Sequence, residues 1–289
     1  MAPTTIADRM PLGHSSRLTR TKSLVVPREH GAWGLLFVPL LTGVAVGAAS
    51  AKSLWPLVWF TFAALALFWL RTPVESLLGT TPLRAETPAE RKLALTVSIA
   101  LAAIASFCLA TLLWNGRNPQ LLLFGGVAAL TFLAQTLLMR LGRKFRMTAQ
   151  SVGAIGLTCT GSAAYYLATS SLDRRAWWLW AANWVFALNQ IHFVQLRIHS
   201  GRAGTFEEKC SRGWWFFLGQ VLLMMTLIGA VALRVIPSLV ALAFLPALAR
   251  GFAWFFRGAQ PLQVRSLGWS EMRQGVVFGI LLATGSILS

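Results

Sequence analysis

The sequence predicts an all-α membrane protein, a polytopic bundle of about nine transmembrane helices. Hydrophobic residues make up 56% of its 289 residues. Charged residues make up only 12%, about half the share of an ordinary soluble domain. Several apolar stretches approach the ~20 residues that cross a bilayer, and none has the alternating pattern of a barrel strand. Because lipid leaves backbone polar groups unsatisfied, these stretches are expected to be helices.

The predicted spans follow one another along almost the whole chain. They cover residues 31–50, 54–72, 93–114, 120–139, 148–169, 176–197, 213–233, 236–256 and 271–288. The first span is longer than the apolar core of a signal peptide, so we expect it to be retained. Residues 1–26 are polar and basic and are predicted to form a flexible cytoplasmic tail. Residues 27–289 are predicted to form a single transmembrane helical domain.

The charge balance predicts the orientation of the bundle. The formal net charge is +17, from 26 Lys and Arg residues against 9 Asp and Glu residues. A nucleic-acid-binding domain shares such an excess but carries no spans of this length, so no nucleic-acid partner is expected. Most basic residues fall on one side of the predicted spans: in the tail, in alternate connections, and in a last group of Arg250, Arg257, Arg265 and Arg273. The positive-inside rule therefore predicts a cytoplasmic amino terminus and a carboxyl terminus outside.

Ionisable residues in or beside a span are candidates for function, because burying them in lipid is costly. Four such segments lie at predicted cytoplasmic ends. The first, Pro27–Trp33, opens span one. It offers Arg28 as an anion-binding candidate, His30 as a proton-handling candidate, and Trp33 on the same helix face as His30. A helix-start motif with an interfacial tryptophan is the structural alternative.

The next two segments follow spans two and four. Arg71 and Glu75 are four residues apart, a spacing that predicts an ion pair on one helix face. A snorkelling arginine beside a solvated glutamate is the alternative. Arg140, Arg143 and Lys144 could attract the phosphate groups of a lipid or of a diphosphate substrate. A positively charged cytoplasmic loop is the alternative there.

The fourth segment ends span six and has the strongest pattern. Asn189, His192, Gln195 and His199 recur every three or four residues, which predicts a polar stripe facing the bundle interior. His192 and His199 are two helical turns apart, too far for one metal ion without a second helix, so no metal site is predicted. The stripe is a functional site or a structural hydrogen-bond network, and the spacing leaves both open.

Two resemblances add to this interpretation. Pro27-Arg28-Glu29-His30-Gly31-Ala32-Trp33 is similar to the opening signature of the YwiC-like family of bacterial membrane proteins. That resemblance implies an uncharacterised protein of the bacterial inner membrane. More distantly, the layout resembles the UbiA superfamily of intramembrane prenyltransferases, which have nine helices and an inside amino terminus. Residues 186–193 are similar to the Gln/His/Phe segment of the protohaem farnesyltransferase branch, and Arg202-Ala203-Gly204 to the segment after its second acidic motif.

The chain departs from the UbiA pattern at the metal-binding motifs. UbiA-type enzymes use two Asp-rich motifs to hold Mg²⁺ and the prenyl diphosphate, because Mg²⁺ prefers carboxylate and phosphate oxygens. Here Asp8 and Asp173 are the only aspartates, and neither lies at those positions. Glu75 stands alone at the end of span two, and His199 occupies the expected acidic region after span six.

Three classes of function remain open from the sequence. The first is a UbiA-like transferase that acts on an isoprenoid or another lipidic substrate in a cytoplasm-facing cavity. Its candidate catalytic residues are His30, Glu75, His192 and His199, and its candidate substrate-binding residues are Arg28, Trp33, Arg71, Arg140, Arg143, Lys144, Asn189 and Gln195. The second is a non-enzymatic binder of haem or quinone through the histidines. The third is a transport or structural protein, and the residues specify no cofactor.

Overall fold

The computed structural model describes residues 20, 23–27, 30–51, 53–80, 83–114, 119–201, 203–258 and 262–289, without the side chains of residues 30–32 and 143. This part of the chain is helical, contains no β-strand, and confirms the predicted all-α membrane bundle. Its helices are α1 His30–Ala48, α2 Trp55–Leu78, α3 Pro88–Trp114, α4 Pro119–Arg140, α5 Arg146–Thr169, α6 Arg174–Ser200, α7 Phe206–Ala232, α8 Ser238–Leu242, α9 Leu245–Phe256 and α10 Val264–Ile287.

The helices follow the predicted spans closely. Helices α1 to α7 coincide with the first seven spans, and α10 with the last. The structure has five helical segments long and apolar enough to cross a membrane within the described residues, namely α2, α3, α4, α7 and the α8–α9 segment. Helix α1 is apolar but shorter over its described side chains. Helices α5, α6 and α10 carry more polar residues, and α5 is the most buried of the three.

The eighth predicted span consists of two short helices instead of one. Helix α8 ends at Leu242 and α9 begins at Leu245, with Pro246 in its first turn. A proline has no N–H, and its ring clashes with the carbonyl four residues earlier, which here belongs to Leu242. The position of Pro246 therefore accounts for the break.

Helices that follow one another along the chain alternate in direction. Ser162, near the end of α5, donates a hydrogen bond to the carbonyl of Ala176 near the start of α6. Gln195, near the end of α6, donates to Gln150 near the start of α5. Successive spans thus run antiparallel, and one end of the bundle gathers the starts of α1, α3, α5, α7 and α10 with the ends of α2, α4, α6 and α9. We call this the basic end, because most of the described Lys and Arg residues lie there.

Helix α5 forms the centre of the bundle and contacts α1, α2, α4 and α6. Its residues from Gly161 to Ala168 are all buried. The closest approach is to α1, where a Cβ on Gly43 would lie 2.0 Å from the carbonyl oxygen of Gly161. Such proximity needs glycine on both sides and is a common way for membrane helices to pack.

Candidate functional site

A buried ion pair joins α9 to α10 inside the bundle. Arg250 donates through Nη1 to Glu271 Oε2, and the two side chains are only 11% and 8% exposed. Helix α6 completes the group: Gln190 donates to the backbone carbonyl of Glu271 at 2.8 Å, and Asn189 Oδ1 lies 3.4 Å from Arg250 Nη2. We call Asn189, Gln190, Arg250 and Glu271 the polar centre.

The polar centre packs against aromatic side chains. The guanidinium carbon of Arg250 lies 4.1 Å from the centroid of the Phe193 ring, a cation–π distance. Phe193 in turn packs on Phe216 of α7, with ring centroids 5.8 Å apart. An arginine held by a carboxylate, an amide and an aromatic face is oriented on three sides, so its position is well defined.

Three buried polar atoms around the polar centre have no hydrogen-bond partner within the described part of the chain. They are Arg250 Nε, Glu271 Oε1 and Gln274 Oε1. Glu271 and Gln274 are three residues apart on α10, so their free oxygens lie on neighbouring turns of one helix face. Buried polar groups are normally satisfied, and unsatisfied ones commonly bond an internal water or a ligand. The polar centre thus has unused hydrogen-bonding capacity: two acceptors and one donor.

The histidine face of α6 is defined by His192, Gln195 and His199. Both histidines place Nδ1 against the backbone carbonyl four residues earlier, at 2.7 Å for His192 and 2.8 Å for His199. A carbonyl oxygen can only accept, so in the neutral ring Nδ1 carries the hydrogen and Nε2 keeps a lone pair. His192 is half-buried and His199 is exposed. Each histidine therefore presents Nε2 as a base or a ligand.

The predicted polar stripe divides between two neighbours. Asn189 is buried and contacts Arg250 of α9. Gln195 lies on another side of α6, where its amide donates to Gln150 Oε1 of α5 at 3.4 Å. That contact sets the histidine face beside the start of α5, about one helical turn from Arg146. The structure thus brings the histidine face close to the basic connection between α4 and α5.

The predicted Arg71–Glu75 pair forms as the spacing indicates. Arg71 Nε donates to Glu75 Oε1 at 2.7 Å, and both side chains are partly buried. Helix α2 continues through Pro73 and ends at Leu78, where Gly79 takes a left-handed conformation with φ of 68°. Glu75 is therefore neutralised by its own helix.

The remaining predicted residues lie at or near the same end. Trp33 packs against Phe68 of α2, with ring centroids 4.8 Å apart. Arg140 and Lys144 are exposed. Arg28 and the side chains of His30 and Arg143 lie outside the described part of the chain.

Sequence reasoning missed the polar centre. From the sequence, Arg250 counted only toward the charge of the cytoplasmic side; it lies within α9, with its charge buried against Glu271. The sequence did mark these two residues, because both fall inside predicted spans. Burying an ionisable side chain in a membrane is costly, so each was a candidate for function on that ground alone. The two are 21 positions apart, so the helical spacing that identified Arg71 and Glu75 could not connect them.

The residues do not fit the Mg²⁺ centre that the UbiA resemblance implies. Among the described residues, no three His, Cys, Asp or Glu side chains come close enough to hold a metal ion. Glu75 is bonded to Arg71, and Glu271 to Arg250. A carboxylate already paired with arginine is a poor ligand for a hard divalent cation.

Helical segments of membrane-crossing length and a buried ion pair define the class: this is a multi-pass membrane protein. The family follows from sequence comparison. Residues 26–166 match the family described as YwiC-like protein, which confirms the resemblance of the Pro27–Trp33 signature. Over that range, which runs from just before α1 into α5, the chain is similar to this family. The polar centre lies on later helices, and no curated protein matches the chain.

Proposed function

We propose that the protein is a UbiA-like membrane transferase that acts on an isoprenoid or another lipidic substrate from the basic end of the bundle. In this proposal the basic end faces the cytoplasm of a bacterium, and the bundle lies in the inner membrane. The contact between Gln195 and Gln150 carries the proposal. It sets a histidine with a free Nε2 beside a basic connection, at the edge of an apolar bundle.

The charges at the basic end support an anionic head group. The acids there are largely engaged: Glu75 with Arg71, Glu271 with Arg250, and Glu86 and Glu90 with Arg20. Arg140 and Lys144, in contrast, form no ion pair among the described residues. Unpaired cations at the membrane boundary attract phosphate oxygens.

The proposed chemistry is transfer of the prenyl chain to a nucleophilic acceptor. The carbon–oxygen bond to the diphosphate breaks, a bond from that carbon to the acceptor forms, and His192 Nε2 takes the proton that the acceptor loses. Arg140 and Lys144, with Arg143, hold the departing diphosphate. The acids of the described chain do not fit Mg²⁺, so we expect these cations to bind the diphosphate directly.

Binding of farnesyl diphosphate to the purified, full-length protein in detergent tests the proposal. The double variant Arg140→Gln/Lys144→Gln is expected to bind about tenfold more weakly, since it removes charge-assisted hydrogen bonds. The variant Arg212→Gln/Arg265→Gln is the control, because it removes two other exposed charges of the same end and is expected to bind as the wild type does. Chelation of divalent metals should leave the affinity unchanged.

A second variant separates catalysis from binding. His192→Gln is expected to keep the affinity for farnesyl diphosphate and to lose about 10²-fold or more of product formation over a panel of aromatic acceptors. His199→Gln, one exposed histidine further along, is the matched comparison. Absence of prenyl diphosphate binding in the wild-type protein would refute the transferase proposal.

A second candidate function is favoured by the tautomers of His192 and His199. A histidine that donates Nδ1–H to a carbonyl and leaves Nε2 free has the arrangement of a metal or haem ligand. We therefore also propose a non-enzymatic binder of haem or quinone as the alternative. Gently purified protein should then show a Soret band that His192→Ala removes, or yield extractable quinone; a preparation with neither excludes this alternative.

A further inference from the structure

A second site lies at the other end of the bundle, opposite the basic end. A cavity of about 580 Å³ opens between the start of α6 and the connection from α7 to α8. Its polar lining includes Arg174 and Arg175 from α6 and Arg234 from the connection. Three arginines thus line a cleft at an end of the bundle where few of the described basic residues lie.

Asp173 is the one acidic residue in the lining, and its carboxylate already accepts hydrogen bonds from other groups. Asp173 Oδ1 accepts from the backbone N–H groups of Arg175 and Ala176, at 2.8 and 3.3 Å, and so caps α6. Its Oδ2 accepts from the Tyr165 hydroxyl at 2.9 Å. Two backbone donors at the start of α6 are therefore satisfied by Asp173, and both of its carboxylate oxygens already accept hydrogen bonds.

The three arginine side chains have no carboxylate partner in the structure. Within the described residues, no Asp or Glu oxygen lies within 4.0 Å of Arg174, Arg175 or Arg234. Arginines that line one cleft repel one another, and an anion that bonds two or three of them removes that repulsion. Their planar donor forks match the oxygens of phosphate in particular.

Arg234 takes a backbone conformation that a glycine would adopt at less cost. Helix α7 ends in a Schellman motif, with Arg234 N–H bonded to Val231 O and Val235 N–H bonded to Ala230 O. At the left-handed position of this motif Arg234 has φ of 54°. Glycine is the usual residue there because any Cβ is strained. Residues with a strained backbone are concentrated at functional sites, so we expect the Arg234 side chain to have a functional role.

The rest of the lining is apolar. Trp178, Val231, Val235, Ile236 and Pro237 form the wall that adjoins the arginines. An inorganic ion has no apolar surface to bury against these residues. A phosphate that carries a hydrocarbon chain binds more tightly, because the chain buries apolar surface there. The lining thus fits an amphiphile with a phosphate head.

We propose that this cleft binds the phosphate group of an anionic lipid. Arg174, Arg175 and Arg234 hold the phosphate oxygens, and Trp178 with the Val231–Pro237 segment contacts the adjoining hydrocarbon. The site is separate from the polar centre and from the histidine face, and it stands whether or not the protein is a transferase.

Lipid retention by the full-length protein in detergent tests the proposal. Native mass spectrometry counts bound dioleoylphosphatidylglycerol against zwitterionic dioleoylphosphatidylcholine. Arg234→Gly is the informative variant, since it removes the guanidinium and relieves the left-handed strain. We expect it to melt no lower than the wild type and to retain phosphatidylglycerol about tenfold more weakly. Arg212→Gln, an exposed arginine of the basic end, is the control and should change neither quantity.

Competition distinguishes the two sources of phosphate. If millimolar inorganic phosphate displaces the lipid, the arginines bind phosphate itself and the apolar wall adds little. If it does not, the lipid head group is the occupant that the cleft selects. Equal retention of both lipids by the wild type, or equal retention of phosphatidylglycerol by Arg234→Gly and Arg212→Gln, would overturn the proposal.

Discussion

Glu271 and Arg250 form the most buried ion pair among the described residues. Removing one member of such a pair leaves the other charge buried and uncompensated, which destabilises by about 3–5 kcal/mol in water-soluble proteins. We therefore expect Glu271→Ala to lower the melting temperature in detergent sharply. Glu75→Ala is the matched control, because its partner Arg71 is more exposed and can reach solvent, so a loss of about 1 kcal/mol or less is expected.

The double variant Arg250→Met/Glu271→Leu separates a structural from a functional role of the pair. Replacing both charges by apolar side chains is often neutral or stabilising, so the double variant should recover most of the melting temperature that Glu271→Ala loses. Equal melting of the wild type and Glu271→Ala would contradict the uncompensated-charge argument. If the stability returns and the activity does not, the pair serves function and not the fold.

Lys209 stabilises the end of α9 from the neighbouring helix α7. Its side chain is 2% exposed, and Nζ donates to the carbonyls of Trp254, at 2.9 Å, and of Arg257. These acceptors lie at the carboxyl end of a helix, where a cation is favourable. Lys209→Met leaves both carbonyls without this donor and is expected to destabilise by about 1.5–3 kcal/mol. Thermal melting checks this against exposed Lys92→Met; equal melting of the two variants would argue against the cap.

At the level of elements, the contact between α1 and α5 depends on glycine. A Cβ on Gly161 would lie 2.8 Å from the carbonyl oxygen of Pro39, and a backbone cannot move aside as a flexible side chain does. Gly161→Ala and Gly43→Ala are therefore expected to force the helices apart and to destabilise by about 1–3 kcal/mol.

The matched control is Gly126→Ala on α4, where nothing lies within 4 Å of the added Cβ. That variant should be neutral or slightly more stable, since alanine is the better helix former by about 1 kcal/mol. Melting curves of the three variants decide the point. If Gly126→Ala and Gly161→Ala have the same melting temperature, the close approach of α1 to α5 does not contribute to stability.

Hydropathy and helix periodicity predict where the helices lie, but they place the helix ends less accurately. Helices α2 and α7 extend beyond the predicted spans, to Leu78 and back to Phe206, because a helix can continue past the apolar stretch that lipid requires. The α8–α9 break follows from Pro246, so the signal was in the sequence. Pairs such as Arg71 and Glu75 are visible from local spacing. The polar centre was not, since it forms only when three separate helices meet.

At the level of the whole molecule, the charge asymmetry predicts a single orientation. Among the described residues, most Lys and Arg residues lie at the basic end, and Arg174, Arg175 and Arg234 lie at the other. We expect the basic end in the cytoplasm and the carboxyl terminus, after α10, outside. A carboxyl-terminal alkaline phosphatase fusion should be active, and a fusion after Arg140 inactive. The reverse pair of activities would contradict the positive-inside assignment.

We expect the Arg250–Glu271 pair to couple the insertion of the carboxyl-terminal helices into the membrane. A charged residue at a helix centre opposes insertion by ~2.5–3.5 kcal/mol. Arg250 and Glu271 lie toward the basic end of α9 and α10, so each of these helices carries part of such a penalty. Helix α10 is not among the described helices apolar enough to cross a membrane. When the two side chains meet, each neutralises the other. During synthesis α9 is therefore expected to remain at the translocon until α10 emerges, so that the two leave it together as a hairpin.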